Sequence, residues 1–77
     1  MEKFNKGGWV FNKGDFVWFL DNYTFDPEVE AGVVVAIKPL WCHIIPTGEV
    51  EPVLICWDDV YNDREEAARH RWRPMSP

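Results

Sequence analysis

Basic residues are scarce, cysteines are few and long apolar runs are missing, and each shortage removes a class of protein. Eight Lys and Arg stand against 13 Asp and Glu, a formal net charge of −5, and such a field repels phosphate backbones and argues against sequence-independent nucleic-acid binding. Two cysteines in 77 residues do not make a disulfide scaffold; in a reducing compartment they read as small buried hydrophobes. No stretch approaches the ~18 apolar residues of a spanning helix, and the opening residues lack the apolar block of a secretory signal. The expectation is a cytoplasmic protein with no membrane partner.

Catalytic groups are equally thin. His43, His70, Cys42, Cys56 and the carboxylates are the available parts, and no spacing assembles a nucleophile with a positioned base. Cys42, flanked by Trp41 and Ile44 in an apolar strand, should have a raised pKa, the opposite of an activated thiol. Zinc would need ligands that converge. Adjacent Cys42 and His43 on a strand point to opposite faces, and no Cys-x-x-Cys pair exists. The chain is expected to be no enzyme and to carry no cofactor and no metal. A Cys42–Cys56 disulfide is conceivable from the strand pairing described below, though a reducing cytosol disfavours it.

What the chain has in quantity is aromatic: five Trp, five Phe and two Tyr. Each large ring can bury ~150–250 Å², which lets one short domain offset its conformational entropy without metal or disulfides. A single domain over residues 1–77 follows from the length. It opens on a near-repeat, Phe4-Asn5-Lys6-Gly7-Gly8-Trp9-Val10 followed by Phe11-Asn12-Lys13-Gly14-Asp15-Phe16-Val17. Each copy sets an Asn-Lys-Gly turn signal before an aromatic and a valine, so both could begin strands, and the segment 1–12 is expected to be less ordered than the rest.

Asp15 to Leu20 reads as a strand after the Gly14 turn, Asp21 to Glu30 as a long acidic loop, and Ala31 to Ile37 as a strand covered on both faces. Leu40 to Ile45 and Val53 to Trp57 form a hairpin around the loop 46–52. Centred on Glu49, it pairs Trp41 with Trp57, Cys42 with Cys56, His43 with Ile55 and Ile45 with Val53. Cys42, Ile44, Leu54 and Cys56 then share one side, while Trp41, His43, Ile45, Val53, Ile55 and Trp57 share a bulkier one that needs a cover. After Asp58, Asp59 and a short Val60-Tyr61 segment, Asp63 and Glu66 have the spacing of a capping box for a helix over 64–73, ended by Pro74. Glu65 with Arg69 and Glu66 with His70 are favourable i,i+4 pairs, and Tyr61, Ala68 and Trp72 form its thin apolar stripe.

This order resembles the SH3-like small barrels, in particular small single-domain versions found in bacteria and phages. The resemblance rests on Gly14, Asp15 and Val17 in the first strand, Gly32 and Val33 in the second, and Asp59, Val60, Tyr61, Glu65, Glu66 and Ala67 at the run into the helix; it covers about Lys13 to Arg71. It implies a mainly β fold, a barrel of about five antiparallel strands with a short C-terminal helix, and a binding module that holds peptides, proteins or nucleic acid. The acidic balance departs from the nucleic-acid-binding barrels, and the Ala-Leu-Tyr-Asp-Tyr signature of proline-peptide binders is absent.

Five tryptophans cannot all be buried in so small a body, and Trp and Tyr are frequent interface anchors. The expected function is protein binding or self-association, as a homodimer or as an accessory or inhibitor protein of a phage or mobile element. Trp18, Trp41, Trp57 and Tyr61 are its expected anchors, with Asp58 and Asp59 flanking them and the acidic loop tuning association. Two variants are an aromatic cage for a methylated cation, built from Trp57, Tyr61 and the neighbouring carboxylates, and an acidic decoy using Asp21, Asp26, Glu28, Glu30, Glu49, Glu51, Asp58 and Asp59. The alternative is a nucleic-acid-binding barrel using Arg64, Arg69, Arg71 and Arg73 of the helix.

Overall fold

The computed structural model describes residues 3–21 and 28–71. Its first feature comes from the near-repeat, because each Lys-Gly signal falls in a turn. Lys3–Lys6 (β1) and Trp9–Asn12 (β2) pair antiparallel with Lys6 opposite Trp9. Gly7 and Gly8 between them both take positive φ, 53° and 89°, which a two-residue hairpin turn of this hand requires and side chains resist. The segment expected to be less ordered is thus a hairpin.

Five further strands form one antiparallel sheet in the order β6-β5-β4-β3-β7. They are Phe16–Leu20 (β3), Val29–Ile37 (β4), Trp41–Pro46 (β5), Val53–Cys56 (β6) and Val60–Tyr61 (β7). A 3₁₀ turn, Trp57–Asp59, joins the two edge strands, and a helix, Arg64–Arg71 (α1), follows. The mainly β class, the five antiparallel strands and the short helix match the sequence reading. The sheet is open: β6 and β7 are its edges and do not pair with each other. The segment 22–27 of the expected acidic loop, together with Trp72 and Arg73, lies outside the described residues. Among the described residues no helix is long and apolar enough to cross a membrane.

Alternation along the strands divides the apolar residues between the two faces. Val17, Phe19, Val34, Cys42, Ile44, Ile55 and Val60 point to one side and join Phe11 and Trp57 in the main core. The β1–β2 hairpin covers this inner face, with Phe4 and Trp9 packed against the core. Leu20 and Tyr61 point to the other side and meet Ala67 of α1, with Trp18 and Val29 packed around them. Gly32, buried between Val17 of β3 and Pro46 of β5, is glycine for want of space, since a Cβ there would stand 2.5 Å from the Ile45 carbonyl oxygen and 2.6 Å from Ile44 Cγ2.

Two sequence readings are off by one residue. The β5–β6 hairpin pairs Trp41 with Cys56, Cys42 with Ile55, His43 with Leu54 and Ile44 with Val53. The turn tightens early, where the Glu49 amide donates to the Pro46 carbonyl (3.0 Å) and Gly48 takes φ 86°, so the loop is not centred on Glu49. A one-residue slip exchanges the faces of a whole strand: Val53 and Ile55 join Cys42 and Ile44 inside, while Leu54 and Cys56 join Trp41 and His43 outside. On α1, Ala67 rather than Ala68 is buried, because the docking face runs through Glu66, Ala67 and His70.

The helix start is as read, with Asp63 Oδ1 accepting from the Glu65 amide (2.9 Å) and the Asp63 carbonyl from the Ala67 amide (3.1 Å). Glu66 does not complete a capping box. Its carboxylate meets Arg69 (3.0 Å) and His70 (3.3 Å), so Arg69 pairs with Glu66 and not with Glu65.

The register separates the thiols. Cys42 is buried and Cys56 exposed, and both are free. Burial, with a smaller contribution from Cys56, pushes the Cys42 thiol up to about 12. A thiol held neutral in the folded chain stabilises it fully below its unfolded pKa and ceases to do so as pH rises from about 9 towards 12. Iodoacetamide at neutral pH should therefore label Cys56 alone in the native protein and both cysteines in denaturant, as read by peptide mass; labelling of Cys42 under native conditions would contradict this register.

Candidate functional site

The four expected aromatic anchors divide into two pairs. Trp57 and Tyr61 are each only 3% exposed and belong to the two cores, so neither can anchor a partner on the surface. For Trp57 the reason is the register: with Leu54 and Cys56 outside, position 57 falls on the inner side, and its amide still donates to the Leu40 carbonyl (3.3 Å) as the 3₁₀ turn begins. There it stacks on Phe4 (ring centroids 4.1 Å apart, planes 2° from parallel) and packs against Phe11 (5.5 Å, 28°), and its Nε1–H donates to the Lys38 carbonyl (2.8 Å). Tyr61 pairs with Trp18 across β3 and β7 and lies under α1, with the His70 ring stacked on it at 5.1 Å. Its hydroxyl donates to the Asp58 carbonyl (3.0 Å).

The cage imagined around Trp57 and Tyr61 contains a cation already, and the protein supplies it. Lys6 Nζ lies 4.5 Å from the centroid of the Tyr61 ring and donates to the Trp57 carbonyl and to the Val60 carbonyl (2.7 Å). It thereby adds a donor to the Trp57 carbonyl, which already accepts the Val60 amide, and reaches the Val60 carbonyl of β7. Burial lowers the Lys6 pKa, and the nearby Asp58 and Asp59 oppose that shift. A cavity of about 450 Å³ opens beside it, lined by Lys6, Trp9, Asp58, Tyr61, Glu66 and His70. Asp58 is exposed and Asp59 half-buried, and both act on Lys6. Lys6 escaped the sequence reading because only its place in a turn motif distinguishes it.

Trp18 and Trp41 stand on the outer face of the sheet, both half-buried. Trp18 meets Phe16 edge to face (5.2 Å, 87°) and packs against the cluster under α1. Beyond the helix the face is open and apolar. Phe16, Val33 and Ile45 are direct neighbours across β3, β4 and β5, and Ala36, His43 and Leu54 form the next row across β4, β5 and β6. Phe16 is 53% exposed, Leu54 46% and Val33 38%. An apolar surface continuous over four strands marks an interaction site, whereas scattered exposed residues do not. Sequence reasoning missed Phe16, Val33 and Leu54, the first two because they were read as covered on both faces and Leu54 because the register was displaced.

Charge is distributed unevenly along this sheet. At the end where β4 begins, desolvation raises the Glu30 carboxyl, and Asp21, Glu49 and Glu28 raise it further; four acids therefore converge there. At the end where β4 finishes stand Lys13, in the turn whose Gly14 amide donates to the Val34 carbonyl (2.7 Å), and Lys38, whose amide donates to the Trp41 carbonyl (2.9 Å). The nine residues of β4, at ~3.3 Å each, hold the two ends ~30 Å apart. The basic helix is less available than its sequence suggests, since Arg69 is engaged by Glu66. No family model, curated protein or solved structure matches the chain.

Trp41 carries one anomaly: its Nε1 is buried and has no hydrogen-bond partner among the described residues. An orphaned buried donor costs ~1–3 kcal/mol. Trp41→Phe, which removes that donor, should leave stability within about 1 kcal/mol of the parent, whereas Trp57→Phe, which orphans the Lys38 carbonyl and thins the Phe4–Phe11 stack, should cost about 2 kcal/mol or more. Urea denaturation midpoints compare the two; equal losses would remove the distinction between a surface indole and a core indole.

Proposed function

We propose that the protein is a non-catalytic, SH3-like protein-binding module that receives its partner on the outer face of the sheet. The observation that carries this reading is the continuous apolar surface from Phe16 through Val33 and Ile45 to Leu54, left uncovered where α1 ends its coverage. The return of β7 beside β3, with the hairpin closing over the inner face, supports the SH3-like description. The anchors are Trp18 and Trp41 from the original set, with Phe16, Val33 and Leu54 added; Trp57 and Tyr61 shape the domain from within.

Charge complementarity states the partner's chemistry. Asp21, Glu28, Glu30 and Glu49 stand at one end of the face, so the fitting occupant is a protein segment with apolar side chains flanked by Lys or Arg. A second copy fits less well, because each chain carries a net charge of −5. Apolar contact supplies the affinity, and the acids favour encounter and orientation.

The test is capture from cell lysate on the immobilised domain with nuclease present, at low and at high salt, beside a Phe16→Ser/Leu54→Ser double variant. The expected result is a protein retained through nuclease and high salt, lost with the double variant, and bound through a Lys- or Arg-flanked apolar segment. Unchanged circular dichroism and urea midpoint would show that the variant still folds. Bands that vanish with nuclease and depend on Arg64 and Arg69 would overturn the reading in favour of a nucleic-acid ligand, whose binding would also weaken steeply with salt.

A further inference from the structure

The two edges of the sheet are protected very differently. β7 is two residues long, both buried, and Lys6 and Trp9 of the hairpin reach over Val60 and Tyr61. Brevity and cover are the usual ways of blunting an edge. β6 has neither. Its four residues, Val53-Leu54-Ile55-Cys56, hold no charge, no proline and no bulge, and among the described residues it is hydrogen-bonded to β5 on one side only. Alternate amides and carbonyls along its other side are therefore offered outward, as in any edge strand.

Charge marks one end of this neutral strand. Glu49 and Glu51 precede it, whereas Asp58 and Asp59 after it share that end with Lys6, on which both act, and with Lys38, whose carbonyl holds the Trp57 indole. We infer that β6 is a strand-addition site: it accepts an extended segment of another protein, four to five neutral residues long in keeping with β6 itself, with Lys or Arg at the end that meets Glu49 and Glu51. This deepens the protein-binding reading and rests on it, because the added strand would extend the outer face past Leu54 and place its own apolar residues beside that leucine and Trp41. Backbone hydrogen bonds supply the register, and the side chains and end charges supply the choice of partner.

Net charge disfavours the second copy, since each chain carries −5 and like-charged bodies repel. A segment with Lys or Arg at both ends presents a basic end to Glu49 and Glu51 in either direction, so parallel and antiparallel addition are equally served.

The probe is a synthetic peptide, Lys-Lys-Val-Thr-Val-Thr-Lys-Lys, titrated into ¹⁵N-labelled protein. Two controls go beside it: the same peptide N-methylated at alternate residues, which removes its pairing donors, and a version with Glu for every Lys. Expected are shifts at the amides of Val53 to Cys56, with exchange of the outward amides slowed roughly tenfold near saturation, and neither effect from the controls. Binding of the N-methylated peptide equal to the parent, with shifts at Phe16 and Val33 and none in β6, would overturn strand addition while leaving the outer-face reading intact. Absence of any binding would overturn strand addition as well, and the lysate capture with the Phe16→Ser/Leu54→Ser variant would then judge the outer face alone. Concentration-dependent dimerisation in sedimentation, protecting the same β6 amides without peptide, would assign the edge to self-association and overturn the basic partner.

Discussion

The fold depends on the inward turn of one indole. Trp57 stands where β6 gives way to a 3₁₀ turn, and two separate parts of the chain meet on it: the hairpin, through ring stacking by Phe4 and Phe11 and through Lys6 on its backbone carbonyl, and the β4–β5 turn, through the bond from its Nε1 to the Lys38 carbonyl. Aromatic pairs contribute ~0.5–1.5 kcal/mol each beyond their buried area, so these contacts amount to a sizeable part of what a domain of this length can hold in reserve. Without that inward placement the hairpin would have no aromatic platform, and Phe4, Phe11 and the inner face of the sheet would stand in water. The hairpin and the sheet are therefore one cooperative unit.

The arrangement also explains why a domain poor in cations places Lys6 so carefully. The 3₁₀ turn is followed at once by an edge strand of only two residues. Lys6 ties the two together by donating to the Trp57 and Val60 carbonyls and covering the Tyr61 ring. Asp58 and Asp59 favour its charged form against the desolvation that opposes it. Those two acids, which on sequence grounds looked like part of a partner-binding rim, also act inside the molecule, through their field on Lys6.

Legibility from sequence followed the range of the interactions concerned. Gly14 announced the start of β3, the run from Ala31 to Ile37 announced β4, and Asp63 announced α1, because each depends on residues adjacent in the chain. Burial of Cys42 was legible for the same reason. The pairing of β5 with β6 was not, since a loop of several residues can close at more than one point and its early closure at Pro46 and Glu49 displaced every partner by one. The fate of Trp57 was illegible for the same reason: pairing it with Trp41 puts the indole outside, whereas the observed register, with Cys56 opposite Trp41, puts it inside, where Phe4, more than fifty positions away, stacks on it. The open face was partly legible: Trp18 and Trp41 stand out as anchors by residue type, whereas the displaced register puts Leu54 on the side of Cys42 and Ile44, and Val33 lies in a run that reads as covered on both faces.

The aromatics are shared unequally between the two faces, and that inequality points toward binding. The hairpin commits Phe4 and Phe11 to one side together with Trp57, while Trp9 packs against both clusters, so the inner core is dense with rings. Among the described residues the other side receives a helix of eight residues whose buried contribution is Ala67, a side chain too small to cover four strands. Had stability alone governed the outer face, polar residues would suffice at Phe16, Val33 and Leu54, where water already reaches. Large apolar groups at such positions gain little for the isolated fold, because they are not fully withdrawn from solvent. Their gain comes when something else covers them. The edge beside Leu54 has the same character, being uncharged along its length and acidic where Glu49 and Glu51 precede it, which is where a basic-flanked strand would be steered.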